Sequence, residues 1–185
     1  VLMGGPTTDN NSFLIRLGQY DVLQPLVERG DINIIYDQFV SVWNKEEGKI
    51  HMKKCIESYE ENIDAVLAAN DDLAEGAIEV LQEHGMIHKV VVSGQDAEPD
   101  ARERIKNGTQ SMTVYKPIES IASTAAQLAV NLGRGKEMEN ILETVNNGQR
   151  MVPAILLTPV SVNRKTLDLA FDSEKYINSG KLENK

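Results

Sequence analysis

Short apolar runs alternate with helical stripes along the chain. Val1–Met3 is an apolar run that stops at Gly4-Gly5-Pro6. Phe13, Leu17, Tyr20, Leu23 and Val27 recur at spacings of three and four, which predicts a helix from about Ser12. Asn10, Asn11 or Ser12 caps it, and Gly30 sits just past its end. Ile32–Tyr36 (INIIY) predicts a second strand. The next helix is expected over Glu46–Glu60, with Met52, Ile56 and Tyr59 on one face. Ile63–Ala68 reads as a third strand. Leu73, Ala77, Ile78 and Leu81 stripe a helix over Asp72–Glu83 that Gly85 ends. Lys89–Val92 is the fourth strand, Asp100–Lys106 a short helix, and Met112–Tyr115 the fifth strand. Pro117 suits the first turn of a helix running to about Leu132, striped by Ile118, Ile121, Ala122, Ala125, Leu128 and Leu132. After a polar stretch, Val152–Val162 reads as one more extended segment, broken by Pro159.

Strands that are short, continuously apolar and separated by helices predict an α/β fold: a Rossmann-like parallel sheet with helices on both faces. The chain has 185 residues, enough for one to one and a half domains of ordinary size. Its 28 acidic against 19 basic side chains leave a net charge of −9, which argues against nucleic acid as a partner, since phosphate binding needs clustered Lys and Arg. No apolar run approaches the ~20 residues of a membrane helix. The single cysteine, Cys55, forms no internal disulfide and is expected to be a packing thiol. The chain opens inside an apolar run, without Met and without a basic leader. The expectation is therefore a fragment or mature piece with an upstream half. The polar end, Ser179–Lys185, is expected to fray.

Signals for catalysis are weak. There is no Walker loop, no G-x-G-x-x-G and no G-x-S-x-G. Gly4-Gly5 follows a strand but lacks the rest of a phosphate cradle. His84 and His88 stand four apart, but Gly85 breaks the helix that would align them, so a surface pair is expected rather than a metal site. Asp71-Asp72 reads as a helix cap. No enzyme, metal or cofactor is expected.

In an open parallel sheet, ligands bind beyond the carboxyl ends of the strands. The first strand is followed by Asp9, Asn10 and Asn11, and the second by Asp37, Gln38 and then Trp43. The third is followed by Asn70, Asp71 and Asp72, the fourth by Ser93, Gly94, Gln95 and Asp96, and the fifth by Lys116. Each hydroxyl of a sugar both donates and accepts, so it pairs with carboxylates, amides and an ammonium. The C–H face of a pyranose stacks on an indole, and Trp43 is the only tryptophan. Taken singly, Asp9, Asn70 and Asp96 read better as turn or cap residues than as ligands, Trp43 reads equally well as a packing residue, and Lys116 reads as a solvated helix-start lysine or as the partner of a carboxylate or ligand oxygen. Together they point to a polyol.

The segments GGPTTDNN, YDQFVSVWNKEE, IDAVLAANDDLAEGAI, VVSGQDAE, GTQSMTVYKPI and RMVPAILLTPVSVNR, in this order and spacing, resemble the D-xylose-binding proteins of bacterial ABC sugar importers. These are members of the type I periplasmic-binding-protein superfamily. The resemblance implies two Rossmann-like lobes joined by a three-strand hinge, with sugar trapped between them. Residues 1–114 would be the C-terminal sugar-binding lobe, 115–151 a segment returning to the N-terminal lobe, and 152–185 the last hinge crossing and tail. It implies Asp9, Asn11, Trp43, Asn70, Asp96 and Lys116 as sugar ligands, with Trp43 stacking. The implied function is a non-catalytic receptor for D-xylose or a close aldopentose, working with an ABC permease. The implied location is extracytoplasmic, either periplasmic or lipid-anchored at the outer cell surface. The helix over 117–132 would need the N-terminal lobe, from an upstream segment or a separate chain, to cover its stripe. A sensor that reports sugar occupancy to a membrane histidine kinase or chemoreceptor uses the same binding chemistry. A repressor with this effector fold would need a basic upstream domain, and an enzyme is the least favoured reading.

Overall fold

In the computed structural model the alternation becomes β1 (Leu2–Gly4), α1 (Asn10–Glu28), β2 (Asp37–Phe39), α2 (Lys45–Tyr59), β3 (Ala65–Ala68), α3 (Asp71–Glu83), β4 (Val91–Ser93), α4 (Pro99–Asn107) and β5 (Met112–Tyr115). The chain continues through α5 (Ile118–Gly133), β6 (Glu143–Asn146), β7 (Met151–Ala154), β8 (Val160–Asn163) and α6 (Leu167–Phe171). The structure describes residues 1–59, 62–136 and 143–171. The expected end of α2 at Glu60 and the polar tail from Ser179 lie outside them. Two compact units form, Val1–Tyr115 with the described residues from Ser161 on, and Lys116–Val160.

The sheet of the first unit runs in the order β2-β1-β3-β4-β5-β8. The ladders joining β1 through β5 are all parallel. The chain steps from β1 to β2 on one side and then crosses back to β3 on the other. This makes the gap between β1 and β3 a topological switch point, where neighbouring connections leave in opposite directions and a crevice opens. Right-handed crossovers put α1 on one face and α2, α3 and α4 on the other. The core fills the second face. Met3, Val66 and Val92 of the sheet meet Met52 and Cys55 of α2, and Leu73, Ala77 and Leu81 of α3. Helices α2 and α3 approach backbone to backbone, because any Cβ at Gly76 would overlap the carbonyl oxygen of Lys45. Lys45 then bridges Glu75 and Glu79 across the seam, with its Nζ 2.8 Å from Glu75.

Three local expectations are corrected. The second ladder lies at Asp37–Phe39 and not at Ile32–Tyr36. None of Ile32–Tyr36 is fully buried, and the ladder forms where β1 offers Leu2–Gly4 opposite Asp37–Phe39. The buried face of α1 is Ser12 and Arg16, whereas Phe13 and Leu17 of the expected stripe are 47% and 60% exposed. The segment Val152–Val162 is not one strand. β7 pairs antiparallel with β6, with Asn146 opposite Met151 and Glu143 opposite Ala154, while β8 joins the large sheet. The Asn-Asn-Gly-Gln sequence makes that hairpin possible. Asn147 Oδ1 accepts the amides of Gln149 and Arg150, both at 3.0 Å, and Gly148 takes φ +90°. In the second unit no residue of α5 is buried.

Candidate functional site

Asp9 N-caps α1, its Oδ1 accepting the Asn11 amide at 2.9 Å. Its other oxygen accepts the Trp43 indole N–H at 3.1 Å. One carboxylate thus serves as helix cap and as anchor for the aromatic ring. The indole lies over the end of β1, where a Cβ at Gly5 would overlap its benzo edge. Gly4 leaves similar room for Arg16 and Phe39. The glycine pair therefore admits side chains over the strand end rather than cradling a phosphate.

The loop carrying Trp43 is held at both ends. The Val40 amide donates to the Gly4 carbonyl at 3.0 Å. The Ser41 amide donates to Glu47 Oε2 at 2.7 Å, and the Glu47 amide donates to Asn44 Oδ1 at 2.9 Å, so Asn44 caps the start of α2 while Glu47 holds the loop before it. Behind it, His51 Nδ1 lies 2.7 Å from the Tyr36 hydroxyl, and its Nε2 lies 3.7 Å from Glu47. Burial pulls the His51 imidazole below its ordinary range, helped by Lys54 and opposed by Glu47. On the α1 side, buried Arg16 pairs with Asp37, donates to the Gln38 carbonyl at 3.3 Å and lies 4.9 Å over the Phe39 ring. Asp37 also accepts the Tyr20 hydroxyl at 2.6 Å.

At the exit of β3, buried Asn70 N-caps α3, its Oδ1 accepting the Leu73 amide at 2.9 Å. At the exit of β4, Asp96 takes φ +101° and Ala97 φ +57°. These left-handed conformations are uncommon for residues with a Cβ. The Asp96 amide donates to the Val114 carbonyl at 2.9 Å. Asn11 is exposed at the start of α1. Lys116 follows β5 directly, as the first residue of the second unit. The structure brings Asp9 and Trp43 into contact and sets Asn70 and Asp96 at the next two strand exits.

Sequence reasoning missed Asp71. It is not the cap, since Asn70 is. Asp71 is 1% exposed, and its carboxylate accepts Gln110 Nε2 at 2.8 Å, the Thr113 hydroxyl at 2.9 Å and the Glu98 amide at 3.0 Å. Burial pushes its carboxyl up despite these donors and the nearby Arg104. The available signal was Gly94, because a Cβ there would overlap Asp71 Oδ1. Asp72, its neighbour, is exposed.

His84 caps the end of α3, while His88 lies at φ +66° with Nδ1 3.1 Å from the Gly108 carbonyl. Cys55 is buried in the core, and burial raises its thiol pKa. Among the described residues no group of three or more His, Cys, Asp or Glu is placed to hold a metal, and no helix is long and apolar enough to cross a membrane.

The chain is 45% identical over 167 residues to a D-xylose-binding periplasmic protein of Haemophilus influenzae, and 46% identical over 166 residues to one of Escherichia coli. Each match covers 90% of this chain but 50% of the relative, so the chain spans about half the length of these curated proteins. A carbohydrate transporter solute-binding protein from Chloroflexus aurantiacus, solved in complex with D-glucose, is similar at a TM-score of 0.85 and 27% identity, covering 96% of this chain and 60% of that one. The periplasmic binding protein domain matches residues 1–137. A doubly wound sheet with a switch point between β1 and β3 and polar residues at its strand exits, and a family match over most of its length, make this chain a member of the periplasmic binding protein domain family.

Proposed function

We propose that this chain is the greater part of the sugar-binding lobe of a non-catalytic solute receptor. The receptor takes D-xylose or a close aldopentose and delivers it to an ABC permease outside the cytoplasm, as a periplasmic or lipid-anchored protein. The observation that carries the reading is the Trp43–Asp9 contact of 3.1 Å at the β1 end. It fixes a flat apolar surface beside a carboxylate at the switch point, which is what a sugar with one C–H face and ringed hydroxyls requires. Support comes from the 45–46% identity to proteins named for D-xylose binding. Trp43 stacks on the ring. Asp9, Asn11, Asn70 and Asp96 hydrogen-bond the hydroxyls, and Lys116 joins them by its place in the motif. A pocket of this kind penalises a missing hydroxyl, because its buried polar groups are then left unpaired.

The half of the longer relatives that this chain does not match would supply the opposing lobe and the remaining ligands. Residues 115–151 would belong to that lobe, whose body would cover the stripe of α5. Completing the burial of Ile118, Ile121 and Leu132, now 61%, 43% and 57% exposed, is worth about 1 kcal/mol per side chain, roughly half the value for a wholly exposed one. Closing of the lobes on sugar would be a hinge motion driven by contacts made only in the closed state.

Isothermal titration calorimetry of the full two-lobed protein tests the reading. The expected result is tight binding of D-xylose, weaker binding of ribose and glucose, and a loss of about tenfold to a hundredfold in Trp43→Ala, equivalent to ~1.4–2.8 kcal/mol. Absence of heat with every pentose would overturn the sugar assignment.

A further inference from the structure

We propose that Asp71 is a positioning residue for the site: its buried carboxylate holds the loop after β4, and Asp96 with it, in one conformation. The inference rests on the sugar-receptor reading above.

Four segments converge on this residue. Thr113 of β5 reaches both carboxylate oxygens, at 2.9 and 3.0 Å. Gln110, just before β5, donates at 2.8 Å, and the Glu98 amide at the start of α4 donates at 3.0 Å. The Asp71 amide donates to the Gln95 carbonyl at 2.9 Å, and Arg104 of α4 donates to the Asp71 carbonyl at 3.1 Å. The carboxylate thus grips the loop at Glu98 and its own backbone grips it at Gln95, one residue before Asp96. Asn70, its chain neighbour, caps the same helix turn.

The loop needs such a clamp. Two successive non-glycine residues at positive φ, Asp96 and Ala97, cost on the order of 1–3 kcal/mol each and persist only where surrounding bonds over-determine them. Those bonds run through the same residues. Thr113 Oγ1, already donating to Asp71, accepts the Ala97 amide at 3.2 Å, and Arg102 donates to the Ala97 carbonyl at 2.7 Å. Gly94 leaves the space that Asp71 Oδ1 fills. The carboxylate is the acceptor for the Gln110, Thr113 and Glu98 donors, and removing it would leave them buried without one. Its presence in a donor-filled pocket is accounted for by what it holds.

Asparagine does not substitute for it. Gln110 Oε1 is committed to Arg104 Nε at 3.0 Å, so the Gln110 amide N–H must face Asp71. The side-chain NH2 introduced by Asp71→Asn would therefore oppose either that donor or the Glu98 amide.

Calorimetry with D-xylose on the full two-lobed protein tests this through Asp71→Asn, Asp96→Ala and Trp43→Ala. Asp71→Asn is expected to weaken binding tenfold or more. Combined with Asp96→Ala it should add little beyond the worse single variant, whereas with Trp43→Ala the losses should multiply. In the sugar-free protein, amide hydrogen exchange at Ala97 and Glu98 should accelerate in Asp71→Asn. Thr113→Val should reproduce the Asp71→Asn effects and Thr113→Ser should retain wild-type binding, which keeps the test intact if Asp71→Asn does not fold. Wild-type affinity in Asp71→Asn, simple multiplication with Asp96→Ala, or equal binding by the two Thr113 variants would overturn the proposal. If the wild type gives no heat with D-xylose, the receptor reading fails, and unchanged exchange at Ala97 and Glu98 would still overturn the clamp.

Discussion

Helices α3 and α5 carry comparable stripes of alanine and branched aliphatic residues, yet they end in opposite environments. Leu73, Ala74, Ala77, Val80 and Leu81 of α3 are each fully buried, while no residue of α5 is. Helix α3 lies in the first unit, packed on the sheet and against α2, and α5 lies in the second, whose described residues bury none of it. An apolar stripe measures a helix's demand for cover, and only the surrounding fold supplies it. The same contrast separates the units in function, since the proposed ligand residues other than Lys116 and all of the Asp71 clamp lie in the first.

The largest test of this contrast is truncation on both helices. Leu73→Ala or Leu81→Ala should lower unfolding free energy by about 2–5 kcal/mol in urea melts, through lost transfer energy and a cavity. Ile121→Ala or Leu132→Ala should cost less than about 0.5 kcal/mol in this chain, as surface substitutions do. The cost at α5 should rise above ~1 kcal/mol in the longer protein, and no rise would show that α5 has no cover there. Glycines give the next comparison. Gly76→Ala, at the backbone contact of α2 and α3, should cost ~1–3 kcal/mol by thermal unfolding. Gly133→Ala, in open space at the end of α5, should be neutral or stabilise by up to ~1 kcal/mol. Opposite signs sharpen the comparison, and equal ones break it.

A smaller effect concerns the Trp43 loop. Glu47→Ala removes the acceptor of the Ser41 amide and should cost about 1 kcal/mol in sugar affinity, read by calorimetry beside indole fluorescence. Helix α5 variants should leave both unchanged. The smallest effect is a pH slope. Burial holds His51 below its ordinary value of 6.5, so as pH falls through 6.5 the unfolded chain takes up a proton that the folded one does not. Stability should therefore fall from pH 6.5 downward, until the folded imidazole also protonates. His51→Gln should flatten that slope in urea melts between pH 5 and 7.

Much of the first unit was legible because most of its strands are short apolar runs, of which β1 is buried throughout, and α3 is amphipathic. The α3 stripe of Leu73, Ala77, Ile78 and Leu81 is buried as its spacing required. The rule that ligands gather at strand exits named Asp9 and Trp43 before their contact was visible. Helix α1 defeated the same logic. Its inward face is Ser12 and Arg16, because Arg16 meets Asp37 and Phe39 over Gly4, and no periodicity of apolar residues encodes an ion pair. The β6–β7 hairpin was lost because β6, Glu143–Asn146, is largely polar and pairs through its backbone rather than through buried side chains.

Alone, the amino-acid order determined the class of fold, the strand–helix alternation and the set of polar residues leaving each strand. These are local properties, carried by period, caps and turn residues. The tertiary structure decided which polar residues meet, that Asp9 both caps a helix and binds an indole, and that Asp71 is a clamp and not a cap. Asp71 lies 27 residues from Glu98 and 42 from Thr113 along the chain. Contacts across that separation depend on strand order and register, which the hydrophobic pattern does not record.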